Sequence, residues 1–282
     1  MKIKNHKLVA ESGDVDIDFK QSPNTSGHFK DGLPDTIVLH YTAGSSLNSA
    51  VNWLTNKKAQ ASAHFVVGKN GKVVQLAPLN TVTWHAGRSR WKNRSSLNYY
   101  SVGIEIDNAG ILEKRAGGYF TYFDKKIEDE RVVLAKHKNR NAEAAWEAYT
   151  VEQLEAVEAL CSLLIEKYNI KELVGHDDIA PDRKTDPGPA FPLQSLKDKI
   201  LLGRKDEEGE EKPDTGETES QEIKKGIITA NLLNIRSKPD VNAMKISDPL
   251  PRGTKVKILE KQGGWYKVNV DMEGWVSSRW VE

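Results

Sequence analysis

The residues best equipped for chemistry crowd into one stretch, Gly175-His176-Asp177-Asp178-Ile179-Ala180-Pro181-Asp182-Arg183-Lys184-Thr185-Asp186-Pro187-Gly188. A histidine, four aspartates, a lysine and an arginine share a segment stiffened by two prolines and two glycines. A segment this polar, following an apolar helical pattern, reads as a surface loop. Pro187 restricts the backbone of Asp186 and holds that carboxylate on extended chain. An imidazole, an ammonium and a carboxylate on one stiff loop suit a metal site, because a rigid ligand loses little entropy on binding. Their partners must come from other elements.

Thr36-Ile37-Val38-Leu39-His40-Tyr41 is a short, nearly continuous apolar run and reads as a strand buried on both faces. His40 falls at its end, where it is either a core histidine or a ligand. Ser45 or Ser46 can cap the next helix, in which Leu47, Ala50, Val51 and Leu54 share a face, with Trp53 on the same side or its border. Ala63 to Gly68 and Lys72 to Leu76 flank Lys69-Asn70-Gly71, a strong hairpin signal. His64, beside the first of these strands, and Trp84-His85-Ala86-Gly87 beyond the second add polar groups with structural or substrate-contacting readings. In Ser101-Val102-Gly103-Ile104-Glu105-Ile106-Asp107, Val102, Ile104 and Ile106 face one way and Glu105 the other. A carboxylate in so apolar a strand faces either solvent or a polar site, since burying it unpaired is costly.

Residues 1–35 read as an irregular N-terminal arm. Residues 110–149 read as an insertion forming a wall or lid, with a hairpin around Gly117-Gly118 and His137 on its surface. Thr150 and Gln153 form a capping box for a helix carrying Leu154, Val157, Leu160, Cys161, Leu164 and Tyr168, which leads into the polar loop. Leu193 to Leu202 is a short helix.

At 282 residues, one large and one small domain are expected. A net charge of +1 points to neither nucleic acid nor an anionic membrane. The single cysteine, Cys161, excludes a disulfide framework and a cysteine zinc cluster, and its place on an apolar helix face makes it core. No apolar run is long enough to cross a membrane, and the N-terminus shows no signal-peptide stretch; either export takes another route or a leader was removed.

Taken together, the polar groups match a hydrolytic zinc site, which needs three protein ligands and an open position. His40, His176 and Asp186 supply such a set, which acidifies a water at the open position to a pKa near ~7 in the best cases. Glu105 then takes the proton and Lys184 steadies charge on a developing oxyanion.

The chain resembles the zinc-dependent N-acetylmuramoyl-L-alanine amidases, a family that includes muropeptide-recycling amidases, phage amidases and peptidoglycan recognition proteins. The matching residues are Val38 to Thr42, Ser62 to Phe65, Trp84 to Gly87, Val102 to Ile106, and Gly175 to Pro181 continuing to Lys184 to Gly188. The resemblance implies an α/β fold with a mixed central sheet flanked by helices. It also implies zinc on His40, His176 and Asp186, Glu105 as general base, and Lys184 beside the carbonyl oxygen. His64, His85 and Trp84 match positions lining the family's groove and are expected as substrate-binding or supporting residues. Asp177 and Asp178 suit loop shaping, and Asp182 and Arg183 a solvated turn. Residues 110–149 are longer than in the compact recycling enzymes, and residues 223–282 have no counterpart there.

Residues 204–222 are acidic and nearly free of apolar groups, a flexible linker between an expected catalytic domain, 1–203, and a small β unit, 223–282. Leu233 to Pro239, Gly264 to Val268 and Gly274 to Ser277 resemble the bacterial SH3 domain, which implies a small all-β barrel and wall targeting; its Trp and Tyr residues are either ligand contacts or core. The expected function is zinc-dependent hydrolysis of the muramoyl–L-alanine amide, by a monomer acting on peptidoglycan at the cell wall. The alternatives are a non-catalytic peptidoglycan binder, which would typically lack a zinc ligand, and a cytosolic recycling amidase.

Overall fold

Alternation of side chains along two neighbouring strands gives the main sheet two distinct faces. In the computed structural model, residues 1–11, 16–202, 224–228, 232–233, 235–239, 246–247, 250–251, 253–262 and 265–270 are described. The chain divides into two compact units, Met1–Gly209 and Glu210–Glu282. The expected linker at 204–222 lies outside the described residues.

The first unit runs β1 (Lys2–Lys4), β2 (Lys7–Val9), β3 (Ile17–Phe19), β4 (Thr25–His28), β5 (Thr36–Tyr41), α1 (Leu47–Leu54), β6 (Phe65–Val67), β7 (Val73–Gln75) and β8 (Thr81–Thr83). It continues through β9 (Arg90–Trp91), β10 (Arg94–Ser95), β11 (Ser101–Ile106), β12 (Ile111–Arg115), β13 (Gly118–Phe120), β14 (Lys126–Ile127), β15 (Val132–Lys136) and β16 (Glu143–Glu147). It closes with α2 (Val151–Lys167), β17 (Glu172–Gly175), α3 (His176–Ile179) and α4 (Leu193–Lys197).

The main sheet has the order β17-β5-β11-β6-β7-β3; only β6 and β7 are antiparallel neighbours. It is therefore mixed, with a parallel centre. Ile37, Leu39, Val102, Ile104 and Ile106 form one buried face with Val157, Leu160, Cys161 and Leu164 of α2. Thr150 caps α2 by accepting the Gln153 N–H, and the Gln153 side chain returns a bond to the Thr150 N–H. The other face carries Val38 and Val174, which cluster with Ala86, Leu97 and Ile179. His40 and Glu105 share this second face by alternation.

Three expectations need correction. Residues 1–35 are not irregular: β1 pairs with β2, β3 is the edge strand of the main sheet beside β7, and β4 pairs with β8. Such short strands escape sequence detection because main-chain pairing, rather than apolar alternation, holds them. Trp53 is 60% exposed, since α1 buries Ala50, Val51 and Leu54 and turns Trp53 outward. The last helical segment ends as α-helix at Lys197 and continues as a π-turn over Asp198–Leu202.

The insertion forms a sheet of its own, ordered β14-β13-β12-β16-β15 and antiparallel throughout. Its Trp146 is 1% exposed and joins the main core. Tyr149, just beyond β16, donates to the Pro187 carbonyl at 2.8 Å. The insertion is thus packed onto the polar loop.

In the second unit, β18 (Lys224–Ile227), β19 (Leu232–Leu233), β20 (Leu250–Pro251), β21 (Lys255–Gln262) and β22 (Trp265–Asn269) form antiparallel sheets β18-β21-β22 and β19-β20. Ile228, Leu250 and Val256 make its core, while Tyr266 is 55% exposed. The segment Gly274 to Ser277, which carries part of the resemblance to the bacterial SH3 domain, lies outside the described residues.

Candidate metal centre

Three adjacent parallel strands deliver one functional residue each at their C-terminal ends. Glu105 on β11 is in register with His40 on β5, and Gly175 of β17 is in register with Leu39. His176, the next residue, therefore emerges beside His40. This edge of a parallel sheet is where α/β proteins commonly build sites, because loops there converge. The polar loop then folds back to bring in Asp186.

His40 Nδ1 and His176 Nδ1 lie 2.8 Å apart, and Asp186 Oδ2 lies 3.0 Å from the first and 2.9 Å from the second. All three residues are buried and form a set able to hold a metal ion. Donors set tetrahedrally around zinc at ordinary bond lengths stand roughly 3.3 Å apart, so a few tenths of an ångström of expansion admits the ion.

The outer contacts of the imidazoles also fit. His176 Nε2 faces the Ala86 carbonyl at 3.2 Å, so Nε2 carries the proton and Nδ1 turns its lone pair inward. His40 Nε2 meets His85 Nδ1 at 3.0 Å, and His85 Nε2 meets the Ser101 carbonyl at 3.3 Å. Protons on both Nε2 atoms satisfy that chain and leave His40 Nδ1 free to coordinate. Burial, reinforced by His176, lowers the His40 pKa to about 4, keeping it neutral. Burial opposes ionisation of Asp186, but hydrogen bonds to its Oδ2 from His176 and His40, made when a proton sits on Nδ1, outweigh it. They hold the carboxyl well below the usual range, and a metal ion at the same atoms would take that proton's place.

Glu105 Oε2 is buried with no hydrogen-bond partner among the described residues. Burial, then the Asp186 charge, pushes the Glu105 carboxyl well above its ordinary pKa, and the Lys184 charge opposes them. Lys184 is half-buried, and its amide donates to the Ala180 carbonyl at 3.0 Å. An orphaned carboxylate oxygen and a lysine whose charge it feels, beside a ligand set, form an arrangement suited to proton transfer.

Of the three residues expected at substrate, two are internal. His64 has no exposed surface; its Nε2 faces the Thr81 carbonyl at 2.8 Å, and its Nδ1 meets the Gly103 N–H at 3.1 Å and Thr83 Oγ1 at 3.0 Å. With both ring nitrogens engaged, burial lowers its pKa to about 4, and it acts as a neutral core histidine. His85 is buried and bonded to His40, so it supports a ligand. Gly103 makes room for it: a Cβ there would stand 2.3 Å from His85 Cγ. Trp84 keeps partial exposure and donates from Nε1 to Ser26 Oγ at 2.6 Å.

Sequence reasoning missed several contributors. Arg183, expected in a solvated turn, donates from Nη2 to the carbonyls of Ala86 and Arg88, each at 2.7 Å. It ties the loop to the segment holding His85, and shares the Ala86 carbonyl with His176. Its exposed charge carried no signal of this. Asn98 Oδ1 accepts the N–H groups of His85 and Ala86 at 3.0 and 2.7 Å. Tyr41 Oη meets Thr185 Oγ1 at 2.6 Å. His137, expected at the surface, is 1% exposed and bonded to Asp177.

Fold and donors together define a mixed α/β domain with a two-histidine, one-carboxylate set able to hold a metal ion. The profile of the N-acetylmuramoyl-L-alanine amidase family matches residues 30–189, more than half of the chain, and that of the bacterial SH3 domain matches residues 231–282. The chain belongs to the N-acetylmuramoyl-L-alanine amidase family. It is similar to N-acetylmuramoyl-L-alanine amidase AmiD of Escherichia coli K12, with 35% identity over 169 residues, 57% of this chain and 51% of that protein. It is also similar to 1,6-anhydro-N-acetylmuramyl-L-alanine amidase AmpD of the same strain, with 33% identity over 134 residues, 47% of this chain and 54% of that protein. The chain spans about half the length of these curated relatives. Among solved structures, E. coli AmiD in complex with anhydro-N-acetylmuramic acid-L-Ala-D-gamma-Glu-L-Lys aligns at 34% identity over 60% of this chain and 59% of that one, with a TM-score of 0.45.

Proposed function

We propose that the chain is a zinc-dependent amidase that hydrolyses the bond joining N-acetylmuramic acid to L-alanine in peptidoglycan. The observation that carries this reading is the convergence of His40 Nδ1, His176 Nδ1 and Asp186 Oδ2, with Glu105 in register with His40 and its Oε2 without a hydrogen-bond partner among the described residues. Two imidazoles and one carboxylate are a common hydrolytic zinc set, and family membership supports the choice of bond. When bound, zinc supplies Lewis acidity, polarising a carbonyl and making water nucleophilic at neutral pH.

The chain's own residues do the remaining work. Glu105 accepts a proton from the attacking water and returns it to the leaving nitrogen; its raised proton affinity suits both roles. Lys184 stabilises negative charge developing on the carbonyl oxygen. His85 and Ser101 hold His40, and the Ala86 carbonyl holds His176. Trp84, with partial exposure, offers substrate an aromatic face. The SH3-like unit, with Tyr266 exposed, directs the enzyme to polymeric wall, and the site of action is the cell wall.

Digestion of purified peptidoglycan tests the reading. New L-alanine amino termini without new reducing sugar ends are expected, and Glu105→Ala should lose them while keeping zinc. New reducing ends, or full activity in the variant, would overturn it. The anhydro-muramyl substrate named for the AmpD relative favours a second reading, in which soluble recycled muropeptides are cut. Equal activity on sacculi with and without residues 204–282, together with faster cleavage of soluble muropeptides, would select it.

A further inference from the structure

Asp177 directly follows the ligand His176, and its N–H donates to the carbonyl of the ligand Asp186 at 2.8 Å. Its backbone therefore touches both loop-borne ligands. Its side chain, in a residue only 3% exposed, reaches out of the loop to the insertion. His137 Nε2 lies 2.9 Å from Asp177 Oδ2, and the Asn139 N–H donates to His137 Nδ1 at 3.1 Å. Because Nδ1 accepts, Nε2 carries the proton and donates to the carboxylate. The His137 ring is 1% exposed and stacks on Trp146, with centroids 5.7 Å apart. Asn139 Nδ2 adds a bond to the Asp177 carbonyl at 2.8 Å.

We propose that His137 is a positioning residue for the metal centre: it fixes Asp177 and, through that backbone, the spacing of His176 and Asp186. This rests on the metal-site reading above. Lys138 also reaches Asp177, at 2.9 Å from Oδ1, but its side chain is 42% exposed and its charge is screened by solvent. His137 is the fully buried donor, and it cannot swing away without unstacking from Trp146. The carboxylate it holds is covalently next to one ligand and hydrogen-bonded through its amide to the other. Displacing that carboxylate moves two of the three donor atoms. His40, on β5, lies outside this linkage. The insertion thus has a task at the site itself, beyond forming a wall.

The test uses the full chain loaded with cobalt(II), whose visible absorption reports ligand geometry, together with chelator competition for metal affinity and thermal unfolding of the metal-free protein. His137→Leu should bind metal about 10–100-fold more weakly, the range for lost outer contacts, and shift the cobalt bands. His137→Gln, whose terminal amide nitrogen stands near the position of Nε2 and can donate to Asp177, should recover affinity and spectrum. Should His137→Leu fail to fold, His137→Asn against His137→Gln decides, because the shorter amide does not reach Asp177. The inference is overturned if His137→Leu melts earlier yet binds metal and absorbs like wild type, or if the Asn and Gln variants behave alike. A wild-type chain that takes up no stoichiometric metal sinks the functional reading instead, and the two failures are separable.

Discussion

The groups at the metal centre arrive by two routes, and the routes differ in how they are held. His40 and Glu105 stand on β5 and β11, where main-chain pairing places them side by side. His176, Lys184 and Asp186 stand on a short helix and loop, where position depends on ties made by distant side chains. Arg183 reaches the carbonyls of Ala86 and Arg88, His137 reaches Asp177, and Tyr149 reaches Pro187. The strand pair is built into the sheet, with the buried alternation of the core behind it. The loop set can be loosened one contact at a time without unfolding the sheet. A ladder of main-chain bonds resists single substitutions, whereas a side-chain tie is lost with its residue.

The largest expected effect falls on the strand pair. Glu105→Gln should lower turnover by about 10²–10⁴-fold, the usual contribution of a general acid–base group, with metal content unchanged. Steady-state rates on peptidoglycan, with metal analysis of the same preparation, check this; metal loss would show that Glu105 is a ligand.

Acid should come next, and it acts through His40 and the buried histidines near it, His64 and His85. His40 and His64 have pKa values lowered by burial to about 4, and His85 is lowered well below its ordinary value. Their unfolded forms bind protons first, near pH ~6.5, so native stability is full above that pH and falls as pH drops toward about 4. Glu105, raised in the folded state, opposes this trend, so metal-free Glu105→Gln protein gives the cleaner measurement. Urea unfolding of that variant from pH 7 to pH 4 should show a loss of a few kcal/mol. A flat profile would mean that these histidines are not held neutral.

Gly103→Ala should follow, because the new methyl would collide with His85. Overpacking of this kind costs about 1–3 kcal/mol, readable as a lowered unfolding midpoint, and should weaken metal binding through His40. The smallest of these effects belongs to a loop tie. Arg183→Ala should leave the sheet's stability nearly unchanged yet weaken metal affinity about tenfold, measured by chelator competition. If Arg183→Ala lowers stability more than Gly103→Ala does, the contrast between built-in and tied groups fails.

Much of the fold was legible where periodicity is strong. β5, β11, the hairpin over Asn70-Gly71 and the capped helix α2 all follow from alternation, a turn dipeptide and a capping box. β1 to β4 were not, since strands of three or four residues are too short to show an alternation. β1 and β2 pair with each other, β3 joins the main sheet beside β7, and β4 pairs with β8. The insertion sheet was hidden by its charge: Leu134, at 56% exposure, and Lys136 on β15 face outward, and its buried apolar residues, Leu112, Ile127, Ala145 and Trp146, are scattered over three strands among charged neighbours. In the site, residue types marked His176, Lys184 and Asp186, because such groups on one proline-stiffened loop are unusual. The sequence leaves His64 open between a structural and a substrate role and misplaces His137 at the surface, for one reason. A histidine bears a polar label in any sequence, and nothing local says whether buried partners await its two nitrogens.

The sequence by itself determined which groups could do chemistry, which strands were apolar enough to be central, and that Glu105 faced away from the Val102, Ile104 and Ile106 side. Those are properties of side-chain type and of period along a single strand. Only the tertiary structure decided that β17, β5 and β11 lie adjacent and in register, and that His40 meets His176 across them. It also decided that His85 serves as a support and that an insertion reaches the metal loop through His137. Register and long-range contact arise from packing the whole chain at once, where each buried polar group must find a partner. Such partners lie tens to more than a hundred residues away in sequence, as His40 and Asp186 do.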